Sequence, residues 1–269
     1  MKNQNPVGVF DSGLGGLTVV KAIRQTLPNE TIIYFGDTAR VPYGNKSLEL
    51  ITEYSLQVAD FLIERGSKII VVACNTATSL ALGTLQDTLD IPVIGVVKPG
   101  VASALKLTES NRIGVIGTIS TIGSGVYENE LQLNNHSVKV TSTSCPLFVP
   151  LVEEGWVNEL ATKLIAEKYL EPISNAKIDT LILGCTHYPL LIEVIKQVVS
   201  SNIKLVDSAQ AMASETEKLL SSLGLRNDQK KKGGLKLYVS DFPARFEIVA
   251  NRFLGEIISD VEKIQLGRV

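Results

Sequence analysis

Cys74 and Cys185 stand out as the residues whose type and setting could carry chemistry. Each closes a nearly all-apolar run, residues 69–73 and 180–184. Each then opens a polar one, Cys74-Asn75-Thr76-Ala77-Thr78 and Cys185-Thr186-His187-Tyr188-Pro189. The pattern reads as a strand running into a helix start, where free N–H groups and the helix dipole stabilise a thiolate and lower the thiol pKa. A single such cysteine is ordinarily a buried structural residue; two in matched positions argue for more. Thiols facing each other across one pocket suit one reaction. One removes a proton from a carbon, the other returns a proton to the opposite face, and the carbon is inverted. A nucleophile–base pair would need one cysteine with a histidine in reach, and a metal site would need more ligands.

Other residues could support those thiols. His187, two positions beyond Cys185, could tune the thiol or assist proton transfer, or it could cap a helix start. The turn Asp11-Ser12-Gly13-Leu14-Gly15-Gly16-Leu17-Thr18 has the setting of a dinucleotide fingerprint, but Thr18 stands where the third glycine belongs. Its N–H groups suit a carboxylate, and Asp11 suits either an ammonium group or a cap. Gly44-Asn45-Lys46-Ser47 lacks the pattern of a P-loop. The stretch from Asp37 to Gly44 follows a strand, so Tyr43 and Gly44 are expected on a pocket wall. Glu153 ends an apolar helical stretch and reads, on its own, as a solvated terminus. Cys145 reads as structural and His136 as surface loop.

The elements that must position these groups are legible as alternating patterns. Short apolar runs at 7–10, 31–35, 68–73, 92–95, 112–117, 138–141, 180–183, 203–206 and 235–239 predict strands. Helical spacing predicts helices over 48–64, 159–170, 190–199, 213–223 and 242–254. The chain is therefore α/β, of doubly wound type. A weak duplication runs through it. Ile113-Gly114-Val115-Ile116-Gly117-Thr118 echoes Val7-Gly8-Val9-Phe10-Asp11-Ser12, and the Cys185 strand echoes the Cys74 strand. A boundary is expected where Val96-Val97-Lys98-Pro99-Gly100 interrupts the pattern, and 227–234, with its three lysines, reads as a solvated loop.

Composition narrows the classes further. A length of 269 residues suits one large domain or two small ones. With 26 basic and 28 acidic residues there is no positive excess to follow a nucleic-acid backbone. No apolar run approaches the roughly 18 residues of a membrane span, and the opening Met1–Pro6 lacks the apolar core of a signal peptide. Three scattered cysteines are too few for a disulfide framework, so reduced thiols in the cytoplasm are expected.

Five ordered segments, residues 9–19, 37–44, 72–78, 145–153 and 183–189, make the sequence similar to the cofactor-independent aspartate/glutamate racemase family, and to its members acting on glutamate. The resemblance implies two similar doubly wound α/β lobes with parallel-rich sheets and an active site in the cleft between them. Residues 98–207 would form the second lobe, and 208–269 would return to the first lobe, 1–97. Cys74 and Cys185 would be the acid/base thiols, assisted by Asp11 and His187, with Glu153 close behind. Asp11, Ser12, Tyr43, Gly44, Asn75, Thr76, Thr186 and His187 would line the glutamate site. The family further implies L-/D-glutamate interconversion without cofactor or metal, D-glutamate supply for peptidoglycan, a cytoplasmic location, and commonly a homodimer. Three readings remain beside it: a relative acting on aspartate, a two-lobed anion-binding protein with structural cysteines, and a hydrolase using one cysteine.

Overall fold

The apolar, β-branched runs become strands covered by helices, as runs buried on both faces must. The computed structural model describes residues 3–255, 258 and 260–267, so Met1 and Lys2 of the opening segment lie outside the described residues. The first strands in chain order are β1 (Val7–Asp11), β2 (Ile32–Gly36), β3 (Ile69–Val72) and β4 (Val93–Gly95). They are followed by β5 (Arg112–Gly117), β6 (Lys139–Ser144), β7 (Thr180–Gly184), β8 (Lys204–Asp207), β9 (Leu235–Val239) and β10 (Val261–Lys263). All pair in parallel, in two sheets ordered β10-β9-β2-β1-β3-β4 and β6-β5-β7-β8. The order β2-β1-β3-β4 recurs as β6-β5-β7-β8. The faint echo between the segments starting at Val7 and Ile113 is thus one architecture used twice, and the chain folds as two similar doubly wound α/β lobes.

The helices of the first half are α1 (Leu17–Thr26), α2 (Leu48–Glu64), α3 (Asn75–Thr88) and α4 (Val97–Leu107). After them come α5 (Ile119–Gly123), α6 (Val126–Asn134), α7 (Phe148–Glu153) and α8 (Leu160–Asn175). The last are α9 (Ile192–Val198), α10 (Ser208–Ser222) and α11 (Pro243–Leu254). α2 shows why they form: Ser47 caps it by accepting the Leu50 N–H, and Ile51, Tyr54, Val58, Phe61 and Leu62 bury one face. Each large apolar side chain so buried stabilises the fold by about 1.5–3 kcal/mol. α10 starts directly after β8, where Asp207 accepts the Ala209 N–H, and it packs against both α1 and α4.

Two expectations shift, and one short strand was not foreseen. The predicted break at 96–100 is the first turn of α4, where Pro99 needs no N–H partner and is tolerated. The strand expected at 138–141 lies at Lys139–Ser144, because this polar edge strand takes its register from β5 rather than from apolar residues of its own. β10, with three residues, is too short to leave a periodic signal.

Lys68 closes the far end of the first sheet. Its fully buried ammonium donates to Glu30 Oε2 at 2.6 Å, Asn3 O at 2.6 Å and Leu225 O at 2.8 Å. The loop after α1, the start of the described chain and the segment after α10 are thereby held at one point. Among the described residues no helix is long and apolar enough to cross a membrane.

Candidate active site

Parallel strands deliver their C-terminal ends to one edge of a sheet, where ligands bind. β1 and β3 are neighbours in the first sheet and β5 and β7 in the second. Asp11, Cys74, Thr118 and Cys185 follow or end these strands, and the two edges face each other. Cys74 and Cys185 line a single cavity of about 20 Å³. Ser12, Asn75 and Thr76 join it from the first lobe, Thr186 and His187 from the second, and Tyr43 and Gly44 from the loop after β2. That volume holds about one water. Next to it lies a wider pocket of about 250 Å³, which shares Val41, Pro42, Gly44, Thr118 and Val149 with the inner cavity and adds Glu153.

Two glycines let the lobes close this tightly. A Cβ on Gly15 would stand 2.2 Å from Thr186 Oγ1, and one on Gly44 would stand 2.6 Å from Thr118 Cβ. Any larger residue at either place would hold the lobes apart.

The environment of each thiol differs. Cys74 is the N-cap of α3, and its sulfur accepts the Ala77 N–H at 3.4 Å. The expected low pKa is nevertheless overturned. Burial, reinforced by the charge of Asp11, pushes the thiol up to about 12 and outweighs the helix start. Cys185 does not open an α-helix, since a 3₁₀ turn at Tyr188–Leu191 intervenes before α9. Its partner is His187, whose Nδ1 lies 3.9 Å from the sulfur.

His187 is buried, which disfavours its charge, but Cys185 and Glu153 more than offset this and raise its pKa to about 10. Glu153 Oε1 lies 3.2 Å from Nε2. The residue that read as a solvated terminus therefore reaches the site through the imidazole. Asp11 lies beneath the cavity, fully buried; its Oδ2 accepts the Gly13 N–H at 3.1 Å and its Oδ1 the Thr186 hydroxyl at 3.2 Å. Burial raises its pKa, and His187 works against that rise. Asp11 thus touches a residue of the opposite lobe and bears on Cys74 and His187 together.

Tyr43 turns its hydroxyl away, donating it to Asp37 Oδ2; Asp37, itself buried, also binds the half-buried Arg40 and Ser240. Cys145 is buried and His136 exposed, and neither lines the cavity. Sequence reasoning passed over Thr118 and Thr121. Thr76 Oγ1 lies 2.9 Å from Thr118 Oγ1 and 3.3 Å from Thr121 Oγ1, a hydroxyl cluster bridging the lobes. The echo of Ser12 by Thr118 was the available signal. Among the described residues no three His, Cys, Asp or Glu side chains gather as metal ligands.

Similarity to known proteins covers the whole arrangement. The profile of the Asp/Glu/Hydantoin racemase family matches residues 9–216. A glutamate racemase of Geobacter metallireducens is 50% identical over 260 residues, 97% of this chain and 96% of that protein. The crystal structure of a glutamate racemase isoform from Bacillus anthracis superposes with a TM-score of 0.95 at 39% identity, covering 98% of each chain. That of a glutamate racemase from Francisella tularensis in complex with D-glutamate gives 0.92 at 40% identity, again over 98% of each. Matched strand ends, a shared cavity and end-to-end likeness agree: the chain belongs to the Asp/Glu/Hydantoin racemase family.

Proposed function

We propose that this chain interconverts L- and D-glutamate by proton transfer at the α-carbon, with Cys74 and Cys185 as the two acid/base groups, and so supplies D-glutamate for peptidoglycan. The observation that carries the reading is the meeting of two thiols from equivalent strand ends in one cavity lined by hydroxyl and amide groups. One sulfur takes the α-proton as the C–H bond breaks; the other gives its S–H proton to the opposite face. Ser12, Asn75, Thr76 and Thr186 offer donors to the carboxylates, whose stabilisation in a water-poor site lowers the barrier. His187, steadied by Glu153, stands against the Cys185 sulfur, where it assists proton transfer. Asp11 serves the Cys74 side, with Thr186 as its tie to the other lobe. Residues 1–97 with 208–269 act as one lobe and 98–207 as the other, a division supported by the two sheets. Three free cysteines support a cytoplasmic location, and family habit supports a homodimer.

Chiral analysis of purified protein incubated with L-glutamate and no added cofactor tests the reading. D-Glutamate should accumulate to an equal mixture, and an unchanged enantiomer ratio would end it.

The two helpers should be separable. Asp11→Asn and His187→Asn are expected to lower turnover unequally in the two directions, with the Michaelis constants compensating because the equilibrium constant is fixed. His187 loses its proton as pH rises through about 10, so activity needing the imidazolium is lost there. That falling limb should be missing in His187→Asn. Equal losses in both directions, with the limb intact, would leave both residues as simple binding groups.

A further inference from the structure

Asn75 presents an asymmetric amide to the cavity. Its side chain is 3% exposed, its Oδ1 accepts the Tyr127 hydroxyl at 2.6 Å, and its Nδ2 has no hydrogen-bond partner among the described residues. Asn75 belongs to α3 of the first sheet's lobe, whereas Tyr127 belongs to α6, which packs with the second. Tyr127 is itself buried and does not line the cavity. Ser208, the first residue of α10, stands against the phenol, and Gly100 leaves room for both; a Cβ there would lie 3.3 Å from Ser208 Oγ and 3.7 Å from Tyr127 Oη.

An amide has one accepting and one donating end, and a half-turn about its last bond exchanges them. A phenol both donates and accepts; here the Tyr127 hydroxyl donates, and the amide end that meets it is the oxygen. The donating Nδ2 is then the end left for the cavity, where a carboxylate accepts. The geometry points to Tyr127 as a positioning residue that fixes the orientation of the Asn75 amide from across the lobe junction, so that Asn75 meets a substrate carboxylate as a donor only when the lobes are closed. The assignment rests on the proposed reaction, since it names how one of that site's donors is set. It also couples recognition to closure: parting the lobes separates Tyr127 from Asn75 and frees the amide to turn.

Tyr127→Phe removes the hydroxyl and keeps the ring, so the folded state, checked by circular dichroism, should persist. Kinetics of this variant, of Asn75→Ala and of the double variant form a cycle. Tyr127→Phe should raise KM for glutamate about tenfold with kcat changed by less than about threefold, the scale expected when one buried hydrogen bond is left unmade. In the Asn75→Ala background the same substitution should change KM by less than about twofold, because its effect passes through the amide. A general packing role would instead lower stability in both backgrounds and leave KM unmoved, or multiply the two effects; either result overturns the assignment. Wild-type protein inactive on glutamate would overturn the reaction and this assignment with it. Active wild type with an unaltered Tyr127→Phe variant would overturn the assignment alone.

Discussion

Cys74→Ser and Cys185→Ser should each retain the fold and lose most racemisation, by about 10²–10⁴-fold in turnover, the range for removing a general acid or base. Folding should survive because serine at 74 can still accept the Ala77 N–H as an N-cap, and at 185 the substitution exchanges one small atom in the cavity lining. Chemistry should not survive, because a hydroxyl is a far weaker acid than a thiol and a far poorer base partner for His187. The two losses should also differ in kind. Cys74 is buried beside a carboxylate and holds its proton, whereas Cys185 faces an imidazole whose raised pKa keeps it charged at neutral pH. Chiral chromatography of time courses started from each enantiomer measures both. Near-wild-type turnover by either folded variant would remove the two-thiol mechanism.

In heavy water, D-glutamate formed early from pure L-glutamate should carry deuterium at the α-carbon in nearly every molecule, while the remaining L-glutamate stays almost unlabelled. A single base serving both faces would hold the abstracted hydrogen and could return it to either side. Two sulfurs cannot, since the hydrogen taken by one is not the hydrogen delivered by the other, and thiol hydrogens exchange with solvent when the cleft is open. The same asymmetry is expected from D-glutamate. Mass spectrometry of the separated enantiomers at low conversion reads the result; early product retaining its original α-hydrogen would sink the two-base assignment.

How much of this was legible in the sequence follows from the range of each interaction. The thiols, and His187 beside one of them, were visible because a strand end and the residues just beyond it share one sheet edge, whereas Asn75, Thr76 and Thr186 came as site residues from the family resemblance. Asp11 and Ser12 were visible for the same reason. Thr118 was visible only as an echo of Ser12, and Thr121 not at all, because their hydroxyls meet Thr76 across the lobe junction. Tyr127 lies 52 positions from Asn75, on a helix whose spacing announces only packing. The pKa of Cys74 was misjudged in sign because a helix start is a local feature, whereas burial depends on how the lobes close. Glu153 was drawn in by α7, which carries it to His187. The interruption at Val96–Gly100 did not read as a helix because a first-turn proline and a loop proline look alike before the helix is seen.

The order of strands in the larger sheet bears on how the polypeptide is made. β2 is flanked by β1 on one side and β9 on the other, and β9 follows the whole of the smaller sheet in the chain. During synthesis from the N-terminus, residues 112–207 therefore supply a complete four-stranded sheet while one flank of β2 is still bare. An unpaired parallel strand edge invites pairing with other chains. Lys68 shares the delay, because Leu225, one of its three acceptors, emerges after that smaller sheet is finished. The nascent chain thus carries an open strand edge and an incompletely compensated ammonium until Leu225 and then β9 have left the ribosome.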